Sequence, residues 1–294
     1  MTQKTDAARR RRSFSQVDVF TAEPYRGNPL AVVVDGDGLT TEQMQQFANW
    51  TNLSETTFLL PPTHPDADYL VRIFTAREEY PFAGHPTLGS AHAWLEAGGI
   101  PKQEGLLVQE CGAGLVRVKH DGGQLAFAAP PLTRSGPVDE EDLAKIALGL
   151  QLPRTALQDA SWLVNGPNWI GVLLESAEHV LAVRPDYSAL DGLNVGVIGP
   201  YGTGTRRVGG DPGGPEFEVR TFIPGDAAAE DPVTGSFNAG AAQWLIGSGR
   251  APASYTAAQG TVLGRAGRVS VDSVQGDIWI GGSSTTCIHG SVVL

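Results

Sequence analysis

Sulfur is nearly absent from this chain. Its 294 residues include two cysteines, Cys111 in QECGAG and Cys287 in TTCIHG, and two methionines. The cysteines are far apart and neither belongs to a CxxC or a Cys/His cluster. That argues against a zinc site, a dithiol redox centre or a disulfide framework, and leaves two half-buried structural thiols as the expectation. Long apolar runs are also missing: no stretch of about 18 apolar residues occurs, so no membrane span is expected. No apolar segment follows the basic N-terminus, as an export signal requires, and the chain is expected to stay in the cytoplasm. Positive charge is scarce, with 21 Lys and Arg against 32 Asp and Glu and a net charge of −11. Lys4 and Arg9 to Arg12 crowd into residues 1–12 against Asp6 alone, a local +4 that leaves −15 for the rest. A body of that charge repels nucleic acid. Residues 1–13 read as a disordered basic tail.

What remains is 41% hydrophobic and 18% charged, with 37 glycines and 20 prolines, the composition of a turn-rich globular protein with more strand than helix. The length suits about two domains. VDVFT and PLAVVV read as strands around the turn EPYRGN. In LTTEQMQQFANWTNLS, Thr40 and Gln43 form a capping-box pattern, and Met44, Phe47 and Ala48 fall on one helical face. ETTFLLPP and YLVRIFT return to strand. PTLGSAHAWLEAGG has no charge before Glu96, so it predicts a helix buried all round, with a domain wrapped around it. PPLTRSGP reads as the linker between residues 14–130 and 131–294. DEEDLAKIALGL reads as an amphipathic helix, and the last segments are rich in strands that could cross back to the first. GTGTRRVGGDPGGP (202–215) reads as a mobile loop, since no GK[ST] follows to make a phosphate-binding loop.

Two stretches match in order. Val71, Arg72 and Phe74 correspond to Val219, Arg220 and Phe222 at an offset of 148, and HPTLGS (85–90) corresponds to DPVTGS (231–236) at an offset of 146. An internal duplication follows: two similar domains, each with strands packed around a central small-residue helix. In each phrase the proline reads as the first helical residue, leaving unpaired N–H groups and the positive end of the helix dipole, which attract anions. Two such ends facing one another would suit a small carboxylate. His85 and Asp231 would stand at the mouth of the site, although Asp231 also fits a plain N-cap. Glu55, in NLSETTFLL, sits at a helix-to-strand junction. A carboxyl beside apolar neighbours there suits proton shuttling, but on the residues alone an exposed strand-end glutamate is the plainer reading. His92 reads as a packed histidine, and no metal is expected.

VDVFTAEPYRGNPLAVV, ANWTNLSETTFLL, FAGHPTLG and EDPVTGSFNAG, in this order, resemble the isomerases of the phenazine-biosynthesis PhzF family, from about residue 16 to near the C-terminus. The resemblance implies a diaminopimelate-epimerase-like α+β fold, two similar domains, each a curved, mostly antiparallel sheet or barrel around a central helix, with the active site between them, a homodimer and no cofactor. It implies Glu55 as the carboxylate that moves a proton between substrate carbons, with Asp231 as its partner acid. It further implies that His85, Gly84 and Ser236 line or orient the substrate, and that Gly235 and Ser236 offer N–H groups to its carboxylate. The function expected is a cofactor-independent isomerase of a small cyclic or aromatic-like carboxylic acid. One departure stands out: the family often has GRPSR where this chain has GRAGR (264–268). Two alternatives remain: an amino-acid racemase or epimerase of the same fold, which would need two facing cysteines, and a non-catalytic binder of small acids. Hydrolysis through Ser236 lacks the GxSxG frame.

Overall fold

The computed structural model describes residues 9–202, 214–225 and 229–294. Its first half runs β1 (Arg11–Val19), β2 (Asn28–Val33), α1 (Thr41–Thr51), β3 (Thr56–Leu60), β4 (Tyr69–Phe74), β5 (Glu79–Tyr80), α2 (Gly84–Glu96), β6 (Leu106–Cys111), β7 (Gly114–Asp121) and β8 (Gln124–Ala128). β9 (Arg134–Pro137) ends that half, and the second runs α3 (Glu140–Leu150), β10 (Asp159–Val164), β11 (Trp169–Leu173), α4 (Ala177–Ala182) and β12 (Asn194–Pro200). It continues with β13 (Phe217–Phe222), β14 (Glu230–Asp231), α5 (Gly235–Gly247), β15 (Ser254–Gln259), β16 (Gly267–Val274), β17 (Asp277–Gly282) and β18 (Ser284–Val293). Hydrogen bonds join all eighteen strands into one sheet.

The pairing is written twice. β1 runs antiparallel to β2, β2 parallel to β3, β3 antiparallel to β4, and β4 antiparallel to β5 and parallel to β6, with β6–β7 and β7–β8 antiparallel. β10 to β17 repeat every one of these relations in the same order. The two copies are tied by exchange. β8 pairs with β17, β9 leaves the first half to pair with β10, and β18 leaves the second to pair with β1. The architecture is thus two similar α+β units of the diaminopimelate-epimerase-like type, each a curved sheet around one helix.

α2 and α5 are those helices. α2 packs on β1, β2, β3, β8 and β18, and α5 on β10, β11, β16 and β17. Residues 84–91 and 235–242 are buried throughout, as the missing charged face requires. Small residues make the close approach possible. A Cβ on Gly89 would meet Leu30 Cδ2 at 2.6 Å, and one on Gly240 would meet Leu163 Cβ at 2.9 Å. The shorter helices lie outside the sheet, where amphipathic patterns suffice: Thr40 and Gln43 close the capping box, and Met44, Phe47 and Ala48 are the buried face of α1.

Three expectations need correction. Residues 1–8 lie outside the described residues, but the proposed tail to residue 13 is too long. Arg11, Arg12 and Ser13 pair with Val293, Val292 and Ser291, and Arg12 is buried, its guanidinium donating to the Asp35 and Asp37 carbonyls. The linker PPLTRSGP ends in a strand, since Arg134–Pro137 pairs with β10. The proposed loop 202–215 falls largely on residues 203–213, outside the described residues. The third correction concerns register. β4 and β13 match at the offset of 148, but the helices start at Gly84 and Gly235, an offset of 151. Pro86 is therefore inside the first turn of α2 while Pro232 precedes α5, and HPTLGS and DPVTGS are not structural equivalents. His85 corresponds to Ser236, and Asp231 corresponds to Tyr80.

The packing of α5 on its sheet is testable at Gly196 in β12, where a Cβ would lie 2.1 Å from the Phe237 ring. That ring is fully buried against Trp169, 5.7 Å away and edge-on, so it has little room to move. Gly196→Ala should cost about 1–3 kcal/mol through overpacking, measured as a lower midpoint in denaturant with unchanged slope.

Candidate active site

Where the two central helices begin, their backbones touch. A Cβ on Gly84 would lie 3.1 Å from Gly235 Cα, and one on Gly235 would meet Gly84 Cα, Gly84 C and His85 N at 3.1–3.3 Å. Only glycine fits at either position. Neither helix carries a side-chain cap, since Ala83 and Thr234 make no such bond to the helix starts. The first N–H groups of a helix have no partner inside it. Those of Gly84, His85, Gly235 and Ser236 therefore remain as donors beside a cavity of ≈ 100 Å³ that all four residues line. Glu55 and Asp231 line it too, so the six residues singled out in the sequence meet in one place.

Each is set by local structure. Glu55 follows the left-handed Asn52 that ends α1 and immediately precedes β3, which carries its carboxyl to the cavity wall, 14% exposed. His85, second residue of α2, is 5% exposed, with Nε2 3.4 Å from Glu55 Oε2 in an alignment short of a hydrogen bond. Burial pushes its imidazole down to about 3, so the contact joins a carboxyl to a neutral ring. On the other side of that ring Nδ1 lies 3.4 Å from Asn28 Nδ2.

Asn28 is the organising residue that sequence reasoning missed. Its amide donates to Asp231 Oδ1 at 2.9 Å and to the Val233 carbonyl at 3.0 Å, which joins the first half to the second. The turn before it is fixed by Asp18, whose Oδ2 accepts from the Arg26 and Gly27 N–H groups. Gly27 is obligatory there, since a Cβ would sit 2.1 Å from the Val19 carbonyl oxygen. Asp231 Oδ2 accepts from the Thr234 hydroxyl at 2.5 Å. Gln259 orders that hydroxyl in turn: its Nε2 donates to Thr234 Oγ1 and its Oε1 accepts from Thr234 N, each at 3.0 Å. Ser236 is held as an acceptor by Trp169 Nε1 at 3.0 Å, and its carbonyl by Asn165 Nδ2 at 2.8 Å. A polar residue within an otherwise apolar strand or turn, as with Asn28 and Gln259, was the only sequence signal for this network.

The inner cavity adjoins a wider cleft of ≈ 600 Å³, with Ser54, Thr75, Tyr80 and Ile223 lining both. Arg265, in the GRAGR segment, lines the cleft and donates to the Tyr25 carbonyl, so the departure from the family pattern lies against the turn before Asn28. Cys111 is buried in β6 and Cys287 half-buried in β18; both are free thiols and neither lines the cavity. His92 contacts Thr286 Oγ1 at 3.0 Å and Glu96 Oε1 at 3.3 Å. Among the described residues no group of three or more His, Cys, Asp or Glu could hold a metal ion, and no helix is long and apolar enough to cross a membrane.

The model of the phenazine biosynthesis-like family, PhzC-PhzF, matches residues 17–290. The chain belongs to this family. It is 38% identical over 301 aligned positions to antisense-enhancing sequence 1 of Schizosaccharomyces pombe, covering 95% of this chain and 97% of that one. It is 32% identical to trans-2,3-dihydro-3-hydroxyanthranilate isomerase of Pseudomonas chlororaphis, over 75% of this chain and 74% of that one. The crystal structure of a PhzF-family protein of Enterococcus faecalis superposes with a TM-score of 0.78 at 26% identity, covering 97% of this chain and all of that one. Like its named relatives, this PhzF-family chain is an isomerase.

The His85 ring makes a pH prediction. Folding lowers its affinity for protons from the ordinary 6.5 to about 3, so the unfolded chain takes up the proton first. The stability from keeping this ring neutral is complete above pH 6.5 and drains away as pH falls towards 3. Thermal unfolding of His85→Asn should show a shallower loss of stability across that window than wild type, and equal slopes would contradict the neutral buried ring.

Proposed function

We propose that the protein is a cofactor-independent isomerase that moves a proton on a small cyclic or aromatic-like carboxylic acid, with Glu55 as the shuttle. One observation carries this reading: two uncapped helix starts and a carboxyl at the wall share a cavity sized for a small molecule. The N–H groups of Gly84, Gly235 and Ser236 receive the substrate carboxylate, where the helix dipoles favour negative charge. Glu55 removes a proton from a ring carbon, the electron pair of that C–H bond moves into the adjoining unsaturated system, and the protonated Glu55 returns the proton to a different carbon. Atoms and electrons balance without an oxidant. His85, neutral, stands 3.4 Å from the Glu55 carboxyl and, with its proton on Nε2, steadies the charged form. Asp231, held by Asn28 and Thr234, serves as the partner acid at a polar substituent.

A racemase using two thiols is disfavoured because Cys111 and Cys287 lie in β6 and β18, away from the cavity. Alkylation of both thiols should leave turnover intact. The compound named for the Pseudomonas relative, trans-2,3-dihydro-3-hydroxyanthranilate, is the first substrate to test, alongside simpler cyclic acids, in deuterated water. Glu55→Gln and Asp231→Asn should each fold and lose about 10²–10⁴-fold in turnover and in deuterium incorporation. Wild-type rates in both variants would sink the mechanism, and acids that bind without any exchange would favour the non-catalytic binder.

A further inference from the structure

The duplicated pairing pattern relates the walls of the cavity to one another. In the first half Thr56 of β3 faces both Phe74 and Ala31. In the second, Val195 of β12 faces both Phe222 and Ile170. Since Phe74 and Phe222 are repeat equivalents, so are Thr56 and Val195, and the residue before each is Glu55 in one half and Asn194 in the other. Both line the same cavity. So do the equivalent pairs Gly84 and Gly235, His85 and Ser236, and Tyr80 and Asp231. The duplication has thus placed a proton-moving carboxyl on one wall and a carboxamide, which cannot move a proton, at the corresponding place on the other.

We infer that Asn194 is a substrate-orienting residue, whose carboxamide binds a hydroxyl or amino substituent of the substrate ring from the second-half wall. The inference rests on the small-acid reading above. Its independent support is that the Asn194 side chain makes no hydrogen bond or ion pair with any described residue although it lines the cavity. A carboxamide offers two donors and an acceptor, and closing a ligand over it unpaired would be costly. A ring bearing only a carboxylate would satisfy the helix starts and leave Asn194 unpaired. A ring that also carries a hydroxyl or amino group would satisfy both. Such a ring would be held by its carboxylate at the helix starts and by its substituent at Asn194, with its reacting carbon turned towards Glu55. Without that second anchor the ring could rotate about its carboxylate.

Binding of benzoate, anthranilate and 3-hydroxybenzoate, followed through the emission of tryptophan, including the cavity-lining Trp169, tests this on the intact chain. Wild type should prefer at least one of the two substituted acids to benzoate. Asn194→Ala and the size-matched Asn194→Leu should weaken the preferred acid by about ten-fold while leaving benzoate within about two-fold. A preference retained in both variants, a parallel loss for benzoate, or no preference in wild type overturns the role of Asn194 while the small-acid reading stands. Failure of wild type to bind any of the three overturns that reading, and the inference with it.

Discussion

The contact between Gly84 and Gly235 is the constraint on which the rest depends. Two helix starts meet without side chains between them, so two positive dipole ends are forced together. Half-charges a few ångströms apart repel by about 1 kcal/mol at an intermediate dielectric. The burial of two thirteen-residue apolar helices inside their sheets exceeds that many times over. Packing thus holds in place an arrangement that electrostatics disfavours, and the imbalance is relieved by negative charge. Glu55 and Asp231 stand at the walls, and in the proposed reading a substrate carboxylate would add negative charge at the N–H groups themselves. Affinity for an anion is therefore a consequence of how the two cores pack, before any side chain is chosen for chemistry.

Given that frame, the halves diverge where the chemistry needs asymmetry. The first contributes Glu55 and His85, the second Asn194 and Ser236 at the matching places. Asp231 belongs to the second half by sequence but is held by Asn28 of the first. The ion pairs behind them stay alike in form: Arg72 clamps the exposed Glu79 through two bonds, and Arg220 clamps the buried Glu230 in the same way. Each clamp fixes the short strand that carries Tyr80 in one half and Asp231 in the other. The duplicated parts set position, and the unduplicated ones set reactivity.

Much of this is legible in the sequence, for identifiable reasons. The central helices announce themselves by lacking charge, α1 by its capping box, and the repeat by Val-Arg-x-Phe, because local composition and spacing decide those features. Glu55 is legible only through the family motif, since one glutamate at a strand end carries no mark of its surroundings. The proposed equivalence of HPTLGS and DPVTGS fails by five residues for a different reason. A helix begins where its backbone is stopped, and here the stop is another helix start from a distant part of the chain, which no local pattern encodes. The strand pairing of Arg11 to Ser13 and of β9 is hidden likewise, because exchanged strands find their partners in the other half. Asn28 and Asn194 are invisible until the ladders show what they face.

Strand exchange also decides how the site works. Because β18 completes the first sheet, β9 the second, and β8 joins β17 directly, separating the halves would break three ladders at once. Each ladder hydrogen bond is worth about 1 kcal/mol net, and a cooperative loss of three ladders is prohibitive for a domain of ordinary stability. Full separation of the halves is therefore disfavoured. The wider cleft reaches the inner cavity past Ser54, Thr75, Tyr80 and Ile223, beside the paired helix starts and the Asn28 bridge. For the proposed proton transfer, donors held in this way are oriented before charge moves. That is where fixed dipoles are most effective, because their orientation has already been set by folding.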